Sequence, residues 1–472
     1  MSVLTREKIK LQTSVGRYLA DIITPVSLYL KVRDHFTHPV LLESNDFSSA
    51  EDCYSFLGLD SIGFFQVQGG RVRTRFPDGT ENKQTLAQIG PVAEAMRDYL
   101  QCFEVEAPEA FPGINGLFGH VGFEGVQYFD SHEFDPQKRK VDIPEINFYL
   151  YRFVVAINHF KNELYILENR LPGQEPQAHR LEALIRSQKI PHHAFHLEGA
   201  AQSNLSDDAF MELVSRGKEH CRRGDVYQIV FSRAFQQAFK GDEFNVYRVL
   251  RSINPSPYLF YFDYGSYKIF GSSPEIQIAV RKGVAQVNPI AGTYRRTGNN
   301  AEDAREARAL AQDPKENAEH IMLVDLARND LGQHATNVHV SRLKEIQFFS
   351  HVIHLTSTVK GDLHPQVNPI EVFGNTFPAG TLSGAPKYKA IELIAKYEHQ
   401  HRGFYGGSIG FVGFDGEINQ AIVIRSFLSK DNVLHYQAGA GIVYDSQEKR
   451  ELEEVNHKLK ALTKALTEAV KL

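Results

Sequence analysis

Several strand-like runs follow one another closely in the middle of the chain, and they constrain the fold more than any other feature. They read DVYQIVFSRAF, YLFYFDY, YKIFGSS and VAQVNPI between residues 225 and 290, and short turns join the last three. Parallel strands need long crossovers, so this spacing favours antiparallel pairing. Asp415-Gly416, between two further strand-like runs, predicts a hairpin. With helical segments at about 299–330 and 385–399, the sequence indicates an α+β fold of packed sheets with helices outside.

The composition excludes several classes of protein. The chain has 472 residues and a net charge of only −5, which makes a nucleic-acid partner improbable. No apolar run reaches the roughly 20 residues that a membrane span requires. Three scattered cysteines fit a reducing compartment, so we expect a cytoplasmic protein. The sequence contains neither a P-loop nor a zinc-type spacing of His and Cys.

The length predicts more than one domain. Residues 189–208 show little periodicity and are typical of a connector. We therefore predict an N-terminal region at residues 1–195 and a catalytic domain at residues 200–472.

Two predicted helices each carry a Glu-x-x-Glu pair, Glu316 with Glu319 and Glu451 with Glu454. A spacing of three residues places both carboxylates of a pair on one helical face. Such a face is usually solvated. The alternative is a four-carboxylate site for Mg²⁺, a hard cation that prefers oxygen ligands.

Two further stretches are dense in small residues, FPAGTLSGAPK at residues 377–387 and QAGAG at residues 437–441. Each is either an ordinary loop or strand, or a place where the backbone approaches a ligand closely. Glu275 follows a proline at a strand end, and His354 stands among apolar and β-branched residues. Taken alone, each of these two side chains is more often structural than catalytic.

Taken in order, these segments resemble the chorismate-utilising enzymes. The motifs are NPIAGT, AEHIMLVDLARNDLG, HLTS, FPAGTLSGAPK, YGGSIG, IVIRS, QAGAGIV and the closing Glu-x-x-Glu, and they extend from about residue 225 to the C-terminus. The resemblance implies a large two-layer β-sandwich of mainly antiparallel sheets with helices outside. It also implies chorismate as the substrate and Mg²⁺ as the cofactor.

The resemblance assigns a role to each motif residue. Glu319 and Glu454 are implied to bind Mg²⁺ directly, with Glu316 and Glu451 holding its waters. Glu275 is implied to be the general acid for the departing C4 hydroxyl, and His354 and Thr381 to serve the later loss of pyruvate. The implied substrate-binding residues are Gly292, Thr293, Tyr405, Arg425, Gly439, Ala440, Gly441 and Lys458.

Ala291 in the NPIAGT motif limits which of the family's reactions this chain is expected to catalyse. In relatives that make a para-aminated product, this residue is typically a lysine that attacks the ring. A methyl group can act neither as base nor as nucleophile, so the nucleophile has to be competent on arrival, as ammonia is. We therefore expect ammonia to add at C2, followed by loss of the C4 hydroxyl and of pyruvate.

The resemblance also implies partners and regulation. None of the three cysteines stands in the Gly-x-Cys-x-Gly sequence of a glutaminase nucleophile, so we expect a separate glutamine amidotransferase subunit and a heterotetramer of two chains of each kind. LLES at residues 41–44 and NPSPYL at residues 254–259 resemble a pocket for tryptophan as feedback inhibitor. The residues implied to bind tryptophan are Ser44, Pro257, Tyr258 and Leu259.

Three alternatives remain open on the sequence. The enzyme could stop at the aminated, non-aromatic intermediate, or it could aminate the ring at the para position with a lysine from elsewhere in the fold. The chain could also be a non-catalytic subunit that senses tryptophan, although all four glutamates of the predicted metal site are present.

Overall fold

The computed structural model describes residues 7–44, 53–106, 111, 115–348 and 352–472, without the side chains of Thr293 and Arg295. Its strands are β1 Ile9–Leu19, β2 Val40–Ser44, β3 Tyr54–Gln68, β4 Arg71–Arg75, β5 Glu81–Thr85, β6 Phe103–Glu106, β7 Gly116–Val121, β8 Ile146–Asn158, β9 Glu163–Arg170, β10 Phe195–Ser203, β11 Gln228–Gly241, β12 Tyr258–Asp263, β13 Lys268–Ser273, β14 Ile276–Arg281, β15 Val284–Val287, β16 Ile290–Arg295, β17 Ala335–Phe348, β18 Val352–Leu363, β19 Gly384–Ala385, β20 Ser408–Gly413, β21 Ile418–Ile422, β22 Ser426–Lys430 and β23 Val433–Ile442.

The described helices cover the outside of these strands. They are α1 Pro25–Val32, α2 Leu86–Ile89, α3 Val92–Gln101, α4 Ala178–Arg186, α5 Asp207–Arg223, α6 Phe244–Ile253, α7 Asn300–Gln312, α8 Pro314–Gly332, α9 Pro369–Thr376, α10 Lys387–Tyr397 and α11 Glu448–Ala469. Among the described residues, none of these helices is both long and apolar enough to cross a lipid bilayer.

Two branches of paired strands leave the long antiparallel pair of β3 and β8. The first branch runs from β3 through β2, β12, β13, β22 and β23 to β11. The second runs from β8 through β7, β20, β21, β14 and β15 to β18, which also pairs with β16 and β17. Within the described chain these pairings are antiparallel, and β1 with β6 forms a parallel pair. The predicted α+β fold of mainly antiparallel sheets with external helices is confirmed.

Local sequence explains where the site-bearing helices begin. Asp313 caps α8, because its side chain accepts hydrogen bonds from the backbone N–H groups of Lys315 and Glu316, and Pro314 occupies the first helical turn. Ser206 caps α5 by accepting from the N–H of Ala209. The hairpin predicted at Asp415-Gly416 is confirmed by the pairing of β20 with β21.

The apolar stripe of the last helix anchors it to the core. Val455, Leu459 and Leu462 are buried, and α11 packs against α5, α6 and β23. Burial of one such side chain contributes about 1.5–3 kcal/mol. The face of α11 that carries Glu454 and Lys458 stays outside this core, and Lys458 donates a hydrogen bond to the carbonyl oxygen of Gly439 on β23.

The expectation of a plain connector at residues 189–208 is wrong. Strand β10 occupies residues 195–203 and pairs with β11. Its last six side chains are all exposed, so its sequence shows no hydrophobic period. Strands of the two predicted regions also pair directly, β2 with β12 and β7 with β20. The division at residues 195–200 stays a prediction about the chain, while the sheet itself is continuous across it.

Candidate active site

Glu275 is a carboxyl group buried between the two branches of the sheet. It stands in the link from β13 to β14 and is 8% exposed. The hydroxyl of Thr381 donates a hydrogen bond to its Oε1 at 3.0 Å. Burial raises the pKa of Glu275 to about 8, against the lowering effects of Thr381, Lys458 and Arg425. At neutral pH this carboxyl is therefore protonated and can act as an acid.

His354 lies on β18, at the register position opposite Thr293 of β16. Its Nδ1 lies 3.1 Å from the carbonyl oxygen of Gly292, which can only accept, so Nδ1 carries the proton. Burial, with a further contribution from the nearby Arg425, lowers the pKa of His354 to about 4. The imidazole is therefore neutral at pH 7, with its lone pair on Nε2.

Gly292 forms a close contact between β16 and α8. Its φ of +71° lies in the left-handed region, and the register of β16 against β18 shifts between Ala291 and Thr293. A Cβ at Gly292 would meet Leu310 at 2.6 Å and a carboxylate oxygen of Glu316 at 3.1 Å. The NPIAGT backbone thus passes directly beside the predicted metal site.

The four glutamates of the two Glu-x-x-Glu pairs form what we call the acidic cluster: Glu316, Glu319, Glu451 and Glu454. Burial raises the pKa of Glu316, and the charges of Glu319 and Glu454 raise it further. Glu316 is on α8 and Glu454 is on α11, so the negative charge of one helix acts on a carboxyl group of the other. Burial also raises the pKa of Glu451, and Glu454 adds to the rise.

The donor set of the acidic cluster fits a hard divalent cation. Its oxygens repel one another, and a cation between α8 and α11 would relieve that repulsion. Within the described residues, no group of three or more His, Cys, Asp or Glu side chains is already gathered closely enough to hold a metal. Mg²⁺ commonly uses one or two protein carboxylates, several waters and an oxygen of the substrate, so a partly assembled site is compatible with it.

Cationic and hydroxyl groups lie next to the acidic cluster. Lys458 donates to the carbonyl oxygen of Gly439 at 2.9 Å and pairs with Glu454 at 2.8 Å. A Cβ at Gly439 would lie 3.1 Å from the hydroxyl of Tyr405. The small residues of β23 therefore admit Tyr405 and Lys458 next to the strand, as expected if the backbone there faces a ligand.

Arg425 completes the cationic side. Its φ is +49°, and its carbonyl oxygen accepts a hydrogen bond from the N–H of Ser272 at 3.1 Å. Arg425 and Lys458 both influence the pKa values of Glu275 and His354, which places the two cations near both groups. The structure thus gathers the predicted catalytic, substrate-binding and metal-binding residues around one site. The side chain of Thr293 lies outside the described part.

The residues predicted to bind tryptophan lie together at a second place. Ser44 at the end of β2 is opposite Tyr258 of β12, and Leu259 follows, fully buried. The preceding loop reaches the first site, because the side-chain oxygen of Asn254 accepts from Arg425 Nη1 at 3.4 Å. Pro257 belongs to the same loop, at residues 254–257.

Sequence reasoning missed Gln228. Its Nε2 donates to Glu319 Oε1 at 2.7 Å from the first position of β11. A single glutamine in an apolar strand carries no signal of its own. Only the pairing of β11 with β23 shows that it lies beside the QAGAG motif.

The chain matches the protein family described as chorismate binding enzyme over residues 64–464. It therefore belongs to the chorismate-binding enzymes, and the resemblance drawn from the motifs is confirmed.

Individual relatives of the chain carry the name of one enzyme within this family. The chain is 34% identical to anthranilate synthase component 1 of Aquifex aeolicus over 464 residues, which cover 95% of this chain and 93% of the relative. It is 37% identical to the component 1 of Geobacillus stearothermophilus over 483 residues, with 97% and 94% covered.

Solved structures agree on the fold. Anthranilate synthase component I from Streptococcus pneumoniae superposes with a TM-score of 0.77 at 29% identity, covering 95% of this chain and 99% of that one. The menaquinone-specific isochorismate synthase of Escherichia coli superposes with a TM-score of 0.75 at 18% identity, covering 98% and 95%. The second likeness concerns the fold alone, and the predicted fold of the chorismate-utilising enzymes is confirmed.

Proposed function

We propose that this chain is component I of an anthranilate synthase, which aminates chorismate at C2 and then removes pyruvate to give anthranilate. The observation that carries the proposal is the buried carboxyl of Glu275, hydrogen-bonded by Thr381, in a site that also contains two cations and an acidic cluster. The names of the full-length relatives support the same activity.

Glu275 serves as the general acid in the first step. Ammonia forms a bond at C2, the ring double bonds shift, and the C4 hydroxyl leaves as water with the Glu275 proton. The nitrogen then loses a proton, which restores the acid. A carboxyl with a pKa of about 8 keeps that proton at neutral pH, and the Thr381 hydroxyl fixes its orientation.

The charges around the site suit a dianionic substrate. Arg425 and Lys458 offer positive charge to one carboxylate of chorismate, with Tyr405 and the backbone of residues 439–441 beside them. The other carboxylate faces Gly292 and the acidic cluster. There Glu319 and Glu454 would hold Mg²⁺ directly, Glu316 and Glu451 would hold its waters, and the bound cation would neutralise the ring carboxylate.

His354 serves as the proton acceptor in the second step. The neutral imidazole takes the proton from C2, the bond between C3 and the ether oxygen breaks, and the side chain leaves as pyruvate after gaining a proton. Arg425 and Lys458 help to depress the pKa of His354 in the free protein. A bound dianion offsets those charges, so substrate binding makes His354 a stronger base.

We place the source of ammonia in a separate glutamine amidotransferase subunit, because the relatives are named component 1, which implies a further component. Tryptophan binds between Ser44 and residues 257–259, where β2 and β12 meet. The contact of Asn254 with Arg425 offers a physical link from that pocket to the substrate site.

The test is incubation of the chain with chorismate, Mg²⁺ and ammonium, followed by fluorescence and mass analysis. We expect anthranilate, formed only with Mg²⁺ and inhibited by tryptophan. A product that retains the three carbons of pyruvate would identify the aminated intermediate as the end point. A para-aminated product, or no turnover of chorismate, would contradict the proposal.

A further inference from the structure

Gln228 contacts the acidic cluster from the strand opposite α8. It is 3% exposed, and its Nε2 donates to Glu319 Oε1 at 2.7 Å. Hydrogen bonds to an ionised acceptor are about twice as strong as neutral ones. This contact joins the first residue of β11 to a helix that is 91 positions away in the chain, so it depends on the assembled fold.

The chemistry of the contact fixes the orientation of the amide. An ionised carboxylate only accepts, so the NH₂ group of Gln228 has to face Glu319 and its Oε1 has to point elsewhere. That Oε1 is buried and has no hydrogen-bond partner in the part of the chain that the structure describes. A buried acceptor of this kind calls for an O–H or N–H donor from a ligand or water.

Gly441 on β23 makes room for the amide. A Cβ at Gly441 would lie 2.5 Å from Gln228 Nε2, closer than any tolerable contact. An alanine at this position would therefore force the Gln228 amide to shift away from its present contact with Glu319.

We propose that Gln228 is a positioning residue, which holds the Glu319 carboxylate in place for a divalent cation and accepts a hydrogen bond from a water bound to that cation. The inference rests on the proposed function, since that function places the cation at Glu319 and Glu454. It goes further by assigning a residue outside the acidic cluster to the binding of the metal.

The test uses the full chain and Mn²⁺ as the probe, because free Mn²⁺ can be counted by electron paramagnetic resonance. Gln228→Met keeps the length of the side chain and removes both donor and acceptor. Changes in the partners of metal ligands typically cost 10–100-fold in metal affinity. We expect Gln228→Met to weaken Mn²⁺ binding by at least 10-fold. The Mg²⁺ concentration for half-maximal activity should rise by a similar factor, while kcat at saturating Mg²⁺ falls less than 3-fold.

A matched control lies on the same strand. Gln237 is equally buried at 4% exposure, and its Nε2 donates to the carbonyl oxygens of Glu198 and Gly199, away from the site. Gln237→Met should leave Mn²⁺ affinity within 2-fold of the unmodified protein. Gly441→Ala, which displaces Gln228, should weaken Mn²⁺ binding alone but add little to Gln228→Met, because coupled changes are not additive.

The outcomes separate this inference from the proposed function. If Glu319→Gln weakens Mn²⁺ binding strongly and a folded Gln228→Met protein binds Mn²⁺ as the unmodified protein does, the role of Gln228 is overturned and the metal site stands. If the unmodified protein binds no Mn²⁺, with or without chorismate, both the role of Gln228 and the assigned metal site are overturned. Anthranilate formation without any divalent cation would also overturn both.

Discussion

Two groups of charged side chains differ in how completely the protein itself supplies their partners. The first we call the Arg402 network, formed by Glu124, Glu398 and Arg402. The second is the acidic cluster. Arg402 donates to Glu398 through Nε and Nη2, to the carbonyl oxygen of Leu382 through Nη1 and to that of Val230 through Nη2. Glu124 accepts from the backbone N–H groups of Arg402 and Gly403.

The Arg402 network is closed. Glu398 and the guanidinium satisfy one another, Glu124 is satisfied by two backbone N–H groups, and the guanidinium lies over the ring of Phe123 at 4.5 Å from its centroid. In the acidic cluster, burial and like-charged neighbours raise the pKa of Glu316 and of Glu451, and the protein partners of the cluster include Gln228 and Lys458. We infer different roles from this difference. Charges that are neutralised inside the protein stabilise the structure, whereas like charges placed near one another serve to bind a ligand.

The largest expected effect is a loss of activity at Glu275, which belongs to neither group. Glu275→Gln removes the proton that the leaving hydroxyl needs, and loss of a general acid typically costs 10²–10⁴-fold in rate. We expect kcat for anthranilate formation to fall by that factor, measured by steady-state fluorescence. The unfolding transition should not move to lower temperature. A variant that retains more than a third of the activity would remove Glu275 from the mechanism.

Arg402→Met tests the Arg402 network through the free energy of unfolding. The substitution leaves Glu398 buried without its cation, and breaking a buried pair costs about 3–5 kcal/mol. Denaturant unfolding should show a loss of this size. Arg402→Met combined with Glu398→Gln should recover part of it, because Glu398 no longer carries a buried charge. A loss below about 1 kcal/mol for the single variant would mean that the network contributes little.

The pH dependence sharpens the role of Glu275. Its folded-state pKa of about 8 lies above its ordinary value, so the folded protein keeps a proton that the unfolded chain loses above about pH 4.5. We expect kcat/KM to fall tenfold per pH unit above about pH 8. The stability of the unmodified protein relative to Glu275→Gln should decline as the pH rises from about 4.5 to 8. A flat kcat/KM between pH 7 and 10 would contradict the assignment.

The smallest expected effect concerns the stability of the protein when the acidic cluster has no cation bound. Glu316→Gln removes one like charge beside Glu319 and Glu454, and like-charge pairs of this kind cost a few tenths of a kcal/mol. Without Mg²⁺, we expect the variant to unfold at a slightly higher temperature than the unmodified protein. With 10 mM Mg²⁺, the order should reverse, since only the unmodified protein gains the full stabilisation from binding. Calorimetry with and without the cation checks both signs.

Much of this arrangement follows from patterns in the sequence. Strand spacing predicted the antiparallel sheet, and helical spacing placed Glu316 with Glu319 on one face of α8. The motifs identified the family. The position of the residues relative to one another does not follow from spacing. Glu316 and Glu454 couple only because the fold brings α8, packed on β16 to β18, toward α11, packed on β23.

Other features have no local signature. Strand β10 exposes most of its side chains, so the partner strand β11 decides its conformation, not a hydrophobic period. Gln228 and Arg402 are single polar residues whose importance depends on burial against distant segments. The pKa of Glu275 likewise depends on what surrounds it, and a glutamate in a turn predicts nothing about that environment.

The most direct test of the central claim is anomalous diffraction from crystals of the full chain soaked with Mn²⁺ and benzoate. We predict one Mn²⁺ peak between α8 and α11, coordinated by Glu319 and Glu454, with the benzoate carboxylate beside Gly292. Bound benzoate with no Mn²⁺ peak at the acidic cluster, or Mn²⁺ coordinated only elsewhere, would contradict that claim.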